Sequence, residues 1–228
     1  SGRYAMFRKS YTTTSSISFP FPPPTAVAGI IGAILGIVHN AHRSAECADY
    51  WNEMGGTRVA IGINRPIKWY RTGINFTNTK SNKTSDHTQI KHQFIKEPSY
   101  RIYVDGPLED RLCQCLKNQH CHFSPYLGVA YCEARIDWVG QYPIRQAQKN
   151  RKLDSVLPLG STMPKIDIRE TGSINQTLMP LQMSETRMVT KTVSVLYKTE
   201  KSPIVFREAD ETEVMEVGED VISWFAPW

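Results

Sequence analysis

The sequence predicts an α+β protein, made of a ferredoxin-like domain with a protruding β-hairpin and a small β-rich C-terminal appendage. Strand and helix periodicities alternate in the order strand, helix, strand, strand, helix, strand up to residue 140. A long polar stretch interrupts this order near residues 64–97, and prolines and glycines divide the chain into short segments after Gly140. We therefore expect domains at 1–140, with the hairpin insertion at about 64–97, and at 141–228.

The first predicted strand covers residues 2–8, and a loop rich in hydroxyl groups follows it. The prolines at 22–24 end any extended segment and begin a helix near Thr25. Glycines recur every three or four residues along this apolar helix, which predicts that the backbone of a sheet approaches it closely, at Gly29, Gly32 and Gly36. The alternative is a membrane span, but the apolar run at 26–38 is shorter than the ~20 residues that a bilayer requires.

Strand alternation returns at 58–64, after which the composition becomes basic and aromatic. Two strand arms are predicted at 67–72 and 89–95, and residues 75–86 are too polar to pack into a core. Together these segments predict the projecting hairpin.

The last elements of the first domain are a strand at 99–104, a helix at 108–118 and a strand at 125–136. Within the appendage, strands are predicted at 165–169, 187–197 and 204–208. The end of the chain is acidic, which predicts a surface facing solvent or protein rather than phosphate, at Glu208, Asp210, Glu211, Glu213, Glu216, Glu219 and Asp220.

The composition favours an anionic partner without identifying one. The chain of 228 residues carries a net charge of +5 and a pI near 8.9. Five cysteines cannot all pair, so reduced thiols are expected. Because the apolar helix follows prolines rather than a short charged leader, no secretory signal is indicated, and a cytoplasmic location is the expectation.

A cluster of thiols and imidazoles raises the alternative of a zinc site, at Cys113, Cys115, His120, Cys121, His122 and Cys132. The paired ligand spacing that is typical of zinc sites is absent. Since side chains two apart on a helix diverge, Cys113 and Cys115 are poorly placed to share one ion. We therefore expect no metal or other cofactor.

The first loop has the chemistry of a nucleic-acid contact. Small hydroxyl side chains at 12–16 lie beside Arg8 and Lys9 in the sequence, and such groups bind phosphate and ribose oxygens. The hairpin region interleaves lysines and arginines with Trp69, Tyr70 and Phe76, a composition typical of single-stranded RNA contacts. Packing at the hairpin base is the alternative for Trp69 and Phe76.

The same segments carry a family resemblance. Residues 4–8 (YAMFR), 11–16 (YTTTSS), the phenylalanine and proline cluster, and 25–36 (TAVAGIIGAILG) resemble the amino-terminal signature of the fifth CRISPR-associated (Cas) protein family. That family belongs to the RAMP superfamily of type I guide-RNA complexes, and the chain is most similar to the I-B subtype. The resemblance covers about the first forty residues and, more weakly, 98–135.

This resemblance implies an RRM-like fold and a non-catalytic subunit of the Cascade surveillance complex. Such a subunit grips the 5′ handle of the CRISPR RNA and caps one end of the helical backbone of Cas subunits. It contacts the Cascade backbone subunit, the large subunit and target DNA near the guide start, with the hairpin as a thumb. No membrane partner is expected. The predicted RNA contacts are Arg8, Lys9, Tyr11, Thr12, Thr13, Ser15, Ser16, Lys68, Trp69, Arg71, Lys80 and Lys83. A second basic run could bind the large subunit or displaced DNA, or be a solvated linker: Arg145, Lys149, Arg151 and Lys152.

Two other functions remain open at this point. A metal-independent endoribonuclease that processes precursor CRISPR RNA needs a base, an acid and a cation. Relatives of the I-C subtype work in this way, and the residue types are available in two sets: His39, His42 and Arg43, or His87, Lys91 and His92. The third possibility is an unrelated basic protein-interaction module.

Overall fold

The computed structural model describes residues 1–12, 15–38, 48, 50–77, 87–147, 152–160, 164–207 and 214–228. The first half of the chain contains β1 (Tyr4–Ala5), β2 (Phe7–Arg8), β3 (Ser15–Ser16), β4 (Ser18–Phe19), α1 (Pro24–Leu35), α2 (Tyr50–Glu53), β5 (Arg58–Ile63), β6 (Lys68–Thr77), β7 (His87–Lys96), β8 (Tyr100–Asp105) and α3 (Glu109–Lys117). The second half contains β9 (Ile144–Gln146), β10 (Lys152–Leu153), β11 (Leu157–Pro158), α4 (Ile168–Thr171), β12 (Asn175–Met183), β13 (Val189–Tyr197), β14 (Ile204–Val205), β15 (Met215–Val217) and β16 (Asp220–Ile222). The protein is thus a mixed α/β structure built from several small sheets.

The hairpin of β6 and β7 forms the longest ladder of the first half and confirms the two predicted arms. Its register runs from Lys68 opposite Lys96 to Thr77 opposite His87, so both arms extend beyond their predicted ends. On its other edge, β7 pairs with β1 and β3, so that two short segments from the start of the chain meet at this strand. The turn at 78–86 lies outside the described residues.

Helix α1 begins at the proline cluster, as predicted, with Pro24 inside its first turn. It ends at Gly36, whose φ of 72° is left-handed and whose N–H donates to the carbonyl of Gly32. The prediction that a sheet backbone closely approaches Gly29, Gly32 and Gly36 is wrong. A Cβ at Gly29 would meet nothing within 4 Å, and at Gly32 the nearest neighbours are side chains. No helix in the described part of the chain is long and apolar enough to cross a membrane.

The predicted strand at 58–64, the strand at 99–104 and the helix at 108–118 are confirmed as β5, β8 and α3. The strand predicted at 125–136 is wrong, because this segment forms a turn with a single bridge from Tyr126 to Glu133. The Leu127 N–H donates to the carbonyl of Cys132, and the Cys132 N–H donates to that of Val129. The ferredoxin-like arrangement consequently stays a prediction.

The C-terminal part is organised around the β12–β13 hairpin, which β11 extends to three strands. Strand β13 confirms the strand predicted at 187–197. Strand β14 corresponds to the first residues of the strand predicted at 204–208, and the last residue of that range lies outside the described residues. The strand at 165–169 is wrong, because the Asp167 carboxylate accepts backbone N–H bonds and caps the short helix α4. Strand β12 was not predicted.

The main hydrophobic core joins side chains from distant parts of the sequence. Val27 and Ile31 of α1 belong to the same buried cluster as Phe94 of β7, Val195 of β13 and Phe225 near the C-terminus. Burying such side chains supplies most of the favourable folding free energy. The division of the chain at residue 141 stays a prediction.

Candidate nucleic-acid interface

The first loop and the hairpin, predicted as two separate RNA contacts, lie side by side in the structure. Strands β2 and β4 pair at the two ends of the loop, with Phe7 opposite Phe19. Strand β3 leaves this loop and pairs in parallel with β7, so that Ser15 is in register with Lys91. The loop is therefore held along one edge of the hairpin.

Hydrogen bonds within the loop shape the backbone near Arg8. The Arg8 guanidinium donates to the carbonyl of Thr12 over 2.8 Å, and the Thr12 hydroxyl donates to the carbonyl of Lys9 over 2.7 Å. The Lys9 ammonium lies 5.4 Å from the ring centre of Phe19 and 6.0 Å from that of Tyr11. The Tyr11 side chain is 72% exposed, so its ring is open to a partner.

The hairpin has two faces of different chemistry, because side chains alternate along a strand. We call one the basic face, defined by Trp69, Arg71 and Lys91. Gly73 is in register with Lys91, so Arg71 is the diagonal neighbour of Lys91 at about 7–8 Å. Gln89 and Gln93 add amide groups to this face, and Ser15 continues it across β3. The basic face thus crosses three strands.

We call the opposite face the aromatic face, defined by Tyr70, Phe76, His92 and Phe94. The His92 ring stacks on that of Phe94 at 5.9 Å between centroids, and Phe76 lies 5.7 Å from His92. His92 and Phe94 are buried, whereas Tyr70 and Phe76 are exposed. Since Phe76 lies near the far end of β6, packing at the hairpin base does not account for it.

The structure divides the predicted contact residues into three groups. Those at or near the surface of the loop and the basic face are Arg8, Lys9, Tyr11, Ser15, Trp69 and Arg71. Thr12 and Ser16 are buried, and Lys68 lies on the aromatic face rather than beside Trp69. Thr13, Lys80 and Lys83 lie outside the described residues. The RNA contacts themselves stay predictions.

Lys91 was predicted as one of the basic hairpin residues and as a member of a possible catalytic set, but Lys91, Gln89 and Gln93 were not among the predicted RNA contacts. The available signal was the period of two along β7, which places these three residues on one face with Arg71 once the register is known. Strands β6 and β7 contain four Lys or Arg residues and no Asp or Glu. The sequence of residues 1–45 contains no acidic residue either. The surface therefore attracts anions.

The family described as CRISPR-associated protein (Cas_Cas5) matches residues 1–195 of this chain. The chain belongs to this family. No curated protein matches it. A crystal structure of a CRISPR protein from Archaeoglobus fulgidus is similar, with a TM-score of 0.51, 14% identity, and coverage of 96% of this chain and 92% of that chain, which shows a shared fold.

Two further solved structures resemble this CRISPR-associated protein less closely. A chain of a CRISPR RNA-guided surveillance complex has a TM-score of 0.47 and 12% identity, covering 92% of this chain and 89% of that chain. A chain of a Type III-B Cmr-beta complex bound to cognate target RNA and AMPPnP has a TM-score of 0.48 and 13% identity, covering 89% of this chain and 83% of that chain.

One candidate catalytic set of this CRISPR-associated protein can be placed. His92 is buried on the aromatic face, with its Nδ1 2.9 Å from the carbonyl oxygen of Ile90. His87 and Lys91 belong to the other face and lie four residues apart along β7, about 13 Å. These three side chains do not meet at one point. The other set, His39, His42 and Arg43, lies outside the described residues.

Four of the five cysteines lie in the described residues, in α3 or in the segment that follows it, and Cys47 lies outside the described residues. The Cys113 thiol lies 3.3 Å from Gln141 Oε1, and burial raises the pKa of the Cys132 thiol to about 11. Burial also raises the pKa of Cys121. Across the described ranges, no three His, Cys, Asp or Glu side chains lie close enough together to hold a metal ion.

Two residues of the acidic C-terminal segment lie in strands that pair within the same protein or contact one of its basic residues. Glu216 of β15 is in register with Arg145 of β9, the first residue of the second basic run. Asp220 lies 2.5 Å from the Arg101 guanidinium and accepts a 2.7 Å hydrogen bond from the Tyr103 hydroxyl. The Asp220 carboxylate thus joins β16 to β8. Lys149 and Arg151 lie outside the described residues.

Proposed function

We propose that this chain is a non-catalytic subunit of a CRISPR surveillance complex and binds the single-stranded 5′ handle of the CRISPR RNA. Family membership supports a role in CRISPR defence. The observation that carries the RNA assignment is the parallel pairing of Ser15 with Lys91. It joins the basic loop and the basic face of the hairpin into one surface.

Different parts of this surface suit different groups of RNA. The guanidinium of Arg71 and the ammonium groups of Lys9 and Lys91 bind phosphates. The exposed ring of Tyr11 and the partly exposed ring of Trp69 provide stacking surfaces for unpaired bases. In this proposal, Thr12 and Ser16 shape the loop, because their side chains are buried.

The family resemblance and the length of the hairpin support finer assignments within the same proposal. The complex is a type I Cascade closest to the I-B subtype, and residues 64–97 form a thumb on a ferredoxin-like RAMP domain. The protein caps one end of the helical backbone of Cas subunits, and it contacts the Cascade backbone subunit, the large subunit and target DNA near the guide start. Thr13, Lys80 and Lys83 also contact the RNA in this proposal. Target sequence is read by base pairing rather than by this subunit.

A processing ribonuclease is the competing function, and the described residues favour binding over cleavage. General acid and base groups must both reach the reacting ribose and phosphate. Because the buried ring of His92 faces away from His87 and Lys91, that set cannot act on one phosphodiester. A binding role needs only the basic and aromatic groups that the surface already presents.

A binding and cleavage assay with labelled, repeat-derived single-stranded RNA tests the proposal. We expect tight binding without cleavage in the presence of a chelator. The pairs R8E/K9E and R71E/K91E should each weaken binding by at least about tenfold and lower the salt slope by about 1 per lost phosphate contact. K191E/K201E is the matched control, since both lysines are exposed and lie outside the hairpin.

Two results would contradict the proposal. Metal-independent cleavage that is lost in H39A/H42A would identify a processing enzyme. Unchanged RNA affinity in both charge-reversal pairs would separate RNA binding from the loop and the basic face.

A further inference from the structure

The aromatic face continues beyond the hairpin as a connected group of rings. Phe94 lies 6.0 Å from Tyr4 of β1 and 6.3 Å from Tyr131, and Tyr4 lies 5.6 Å from Tyr70, all between ring centroids. The buried rings of His92 and Phe94 lie at the bottom of this group. Three rings around these two buried rings remain accessible, with exposed fractions of 43% for Tyr70, 41% for Phe76 and 60% for Tyr131.

Cations accompany these rings. Lys68 and Lys96 are register partners on the same face as Tyr70 and Phe94. Like charges directly opposite each other destabilise an antiparallel pair. Neither ammonium forms an ion pair within the described part of the chain. The Arg3 guanidinium lies 5.8 Å from the ring centre of Tyr4. The arrangement therefore suits a bound anion beside the rings.

Flat accessible rings next to unpaired cations fit a single-stranded nucleic acid better than a protein surface. Unpaired bases stack on aromatic side chains while their phosphates bind cations, and every base offers a ring face. A protein partner would have to bury the two like charges at a cost unless it supplied carboxylates. The absence of Asp and Glu from β6 and β7 also favours the polyanion.

We propose that the aromatic face is a second RNA contact, on which bases of the bound strand stack against Tyr70, Phe76 and Tyr131 while Lys68 and Lys96 hold a phosphate. This proposal rests on the proposed RNA-binding function. Within the described residues, β6 pairs only with β7, so its other edge is open. An RNA strand that lies on the basic face reaches the aromatic face by crossing the open edge of β6.

Fluorescence of 2-aminopurine, placed singly along repeat-derived single-stranded RNA, tests this contact because stacking on an aromatic ring quenches it. We expect quenching at one or more positions with the full-length protein and none with the same RNA in a duplex. Tyr70→Ala and Tyr131→Ala should remove this quenching and weaken binding about fivefold to 150-fold per lost ring, with an unchanged salt slope. Tyr70→Phe and Tyr131→Phe keep the rings and should retain both.

Phe76→Ala provides a second variant at the far end of the face, should a tyrosine replacement unfold the protein. Wild-type affinity and quenching in the alanine variants, combined with weak binding by R71E/K91E, would overturn the second contact and leave the proposed function intact. A wild-type protein that binds no repeat RNA would overturn both.

Discussion

Ser15 and Lys91 are register partners in two parallel strands, one from the first loop and one from the long hairpin. Twelve loop and hairpin residues were predicted as RNA contacts from composition and resemblance, but nothing in the sequence showed that the two segments touch. Through this pairing, the position of Arg8 and Lys9 depends on the position of Arg71 and Lys91. The RNA surface is thus a property of the tertiary fold.

Trp69 provides an optical test of the basic face. Its side chain is 42% exposed and lies opposite buried Ile95. If a base stacks on it, Trp69→Phe should retain most of the RNA affinity but remove part of the RNA-induced quenching of tryptophan fluorescence. Trp69→Ala should weaken binding by about 1–3 kcal/mol. Trp138→Phe, a replacement outside the hairpin, is the control, and equal quenching in both phenylalanine variants would argue against this contact.

Gly128 is predicted to be essential for the turn that replaced the expected strand. Its φ is 93°, and a Cβ there would lie 2.1 Å from the carbonyl oxygen of Met6. Gly128→Ala should lower the free energy of unfolding by about 1–3 kcal/mol, measured by urea denaturation. Gly29→Ala is the matched control: nothing approaches that position, so the change should stabilise α1 by about 0.5–1 kcal/mol. Equal effects of Gly128→Ala and Gly29→Ala on the free energy of unfolding would refute the claim that the turn requires a glycine at position 128.

Asp220 is predicted to stabilise the junction between β8 and β16. Its carboxylate accepts hydrogen bonds from both Arg101 and Tyr103, and all three groups are partly buried. Asp220→Asn should cost about 1–2 kcal/mol of unfolding free energy after allowance for solvent screening. Asp137→Asn breaks the more exposed contact with Arg135 and should cost only about 0–1 kcal/mol. An inverted order of the two costs would contradict the structural role of Asp220.

Alkaline pH is predicted to destabilise the protein. Burial raises the pKa of the Cys132 thiol from 9.0 to about 11, and it also raises the pKa of the Tyr100 and Tyr103 phenols. Because the folded state holds these protons more tightly than the unfolded state, the stabilising contribution of Cys132 is complete below pH 9.0 and is lost as the pH rises through about 11, whereas the contribution of the two phenols is complete below pH 10.0 and is lost at still higher pH. Urea midpoints should fall over this range, less steeply for Cys132→Ala. A urea midpoint that stays constant over this pH range would contradict the raised pKa of Cys132.

Local patterns predicted the elements that follow one clear period. Strands β5 and β8 alternate with a period of two, and α1 and α3 show helical spacing with proline signals at their starts. The segment at 125–136 also has strand-forming residues, yet Gly128 adopts a left-handed conformation against the backbone of Met6 and turns the chain. Strand β12 escaped prediction because it contains Pro180, which its edge position and a shift in register accommodate.

The interface was less predictable than the elements that form it. Composition identified Arg71 and Trp69 as candidate contacts, but it could not show that Lys68 lies on the opposite face. The assignment of a side chain to a face depends on register, and register depends on pairing between strands distant in sequence. For the same reason, Lys91 was recognised as a basic hairpin residue and a possible catalytic cation but not as an RNA contact. Sequence therefore gave the chemistry of the site, and the tertiary fold gave its arrangement.

The most direct test of the central claim is photo-crosslinking of a guide RNA that carries 4-thiouridine in its 5′ handle, within the assembled complex, followed by mass spectrometry of the crosslinked peptides. We predict crosslinks to the loop around Arg8 and Tyr11 and to the hairpin around Trp69 and Lys91. Crosslinks confined to the β12–β13 hairpin, with none in the loop or on either face of the β6–β7 hairpin, would contradict the account.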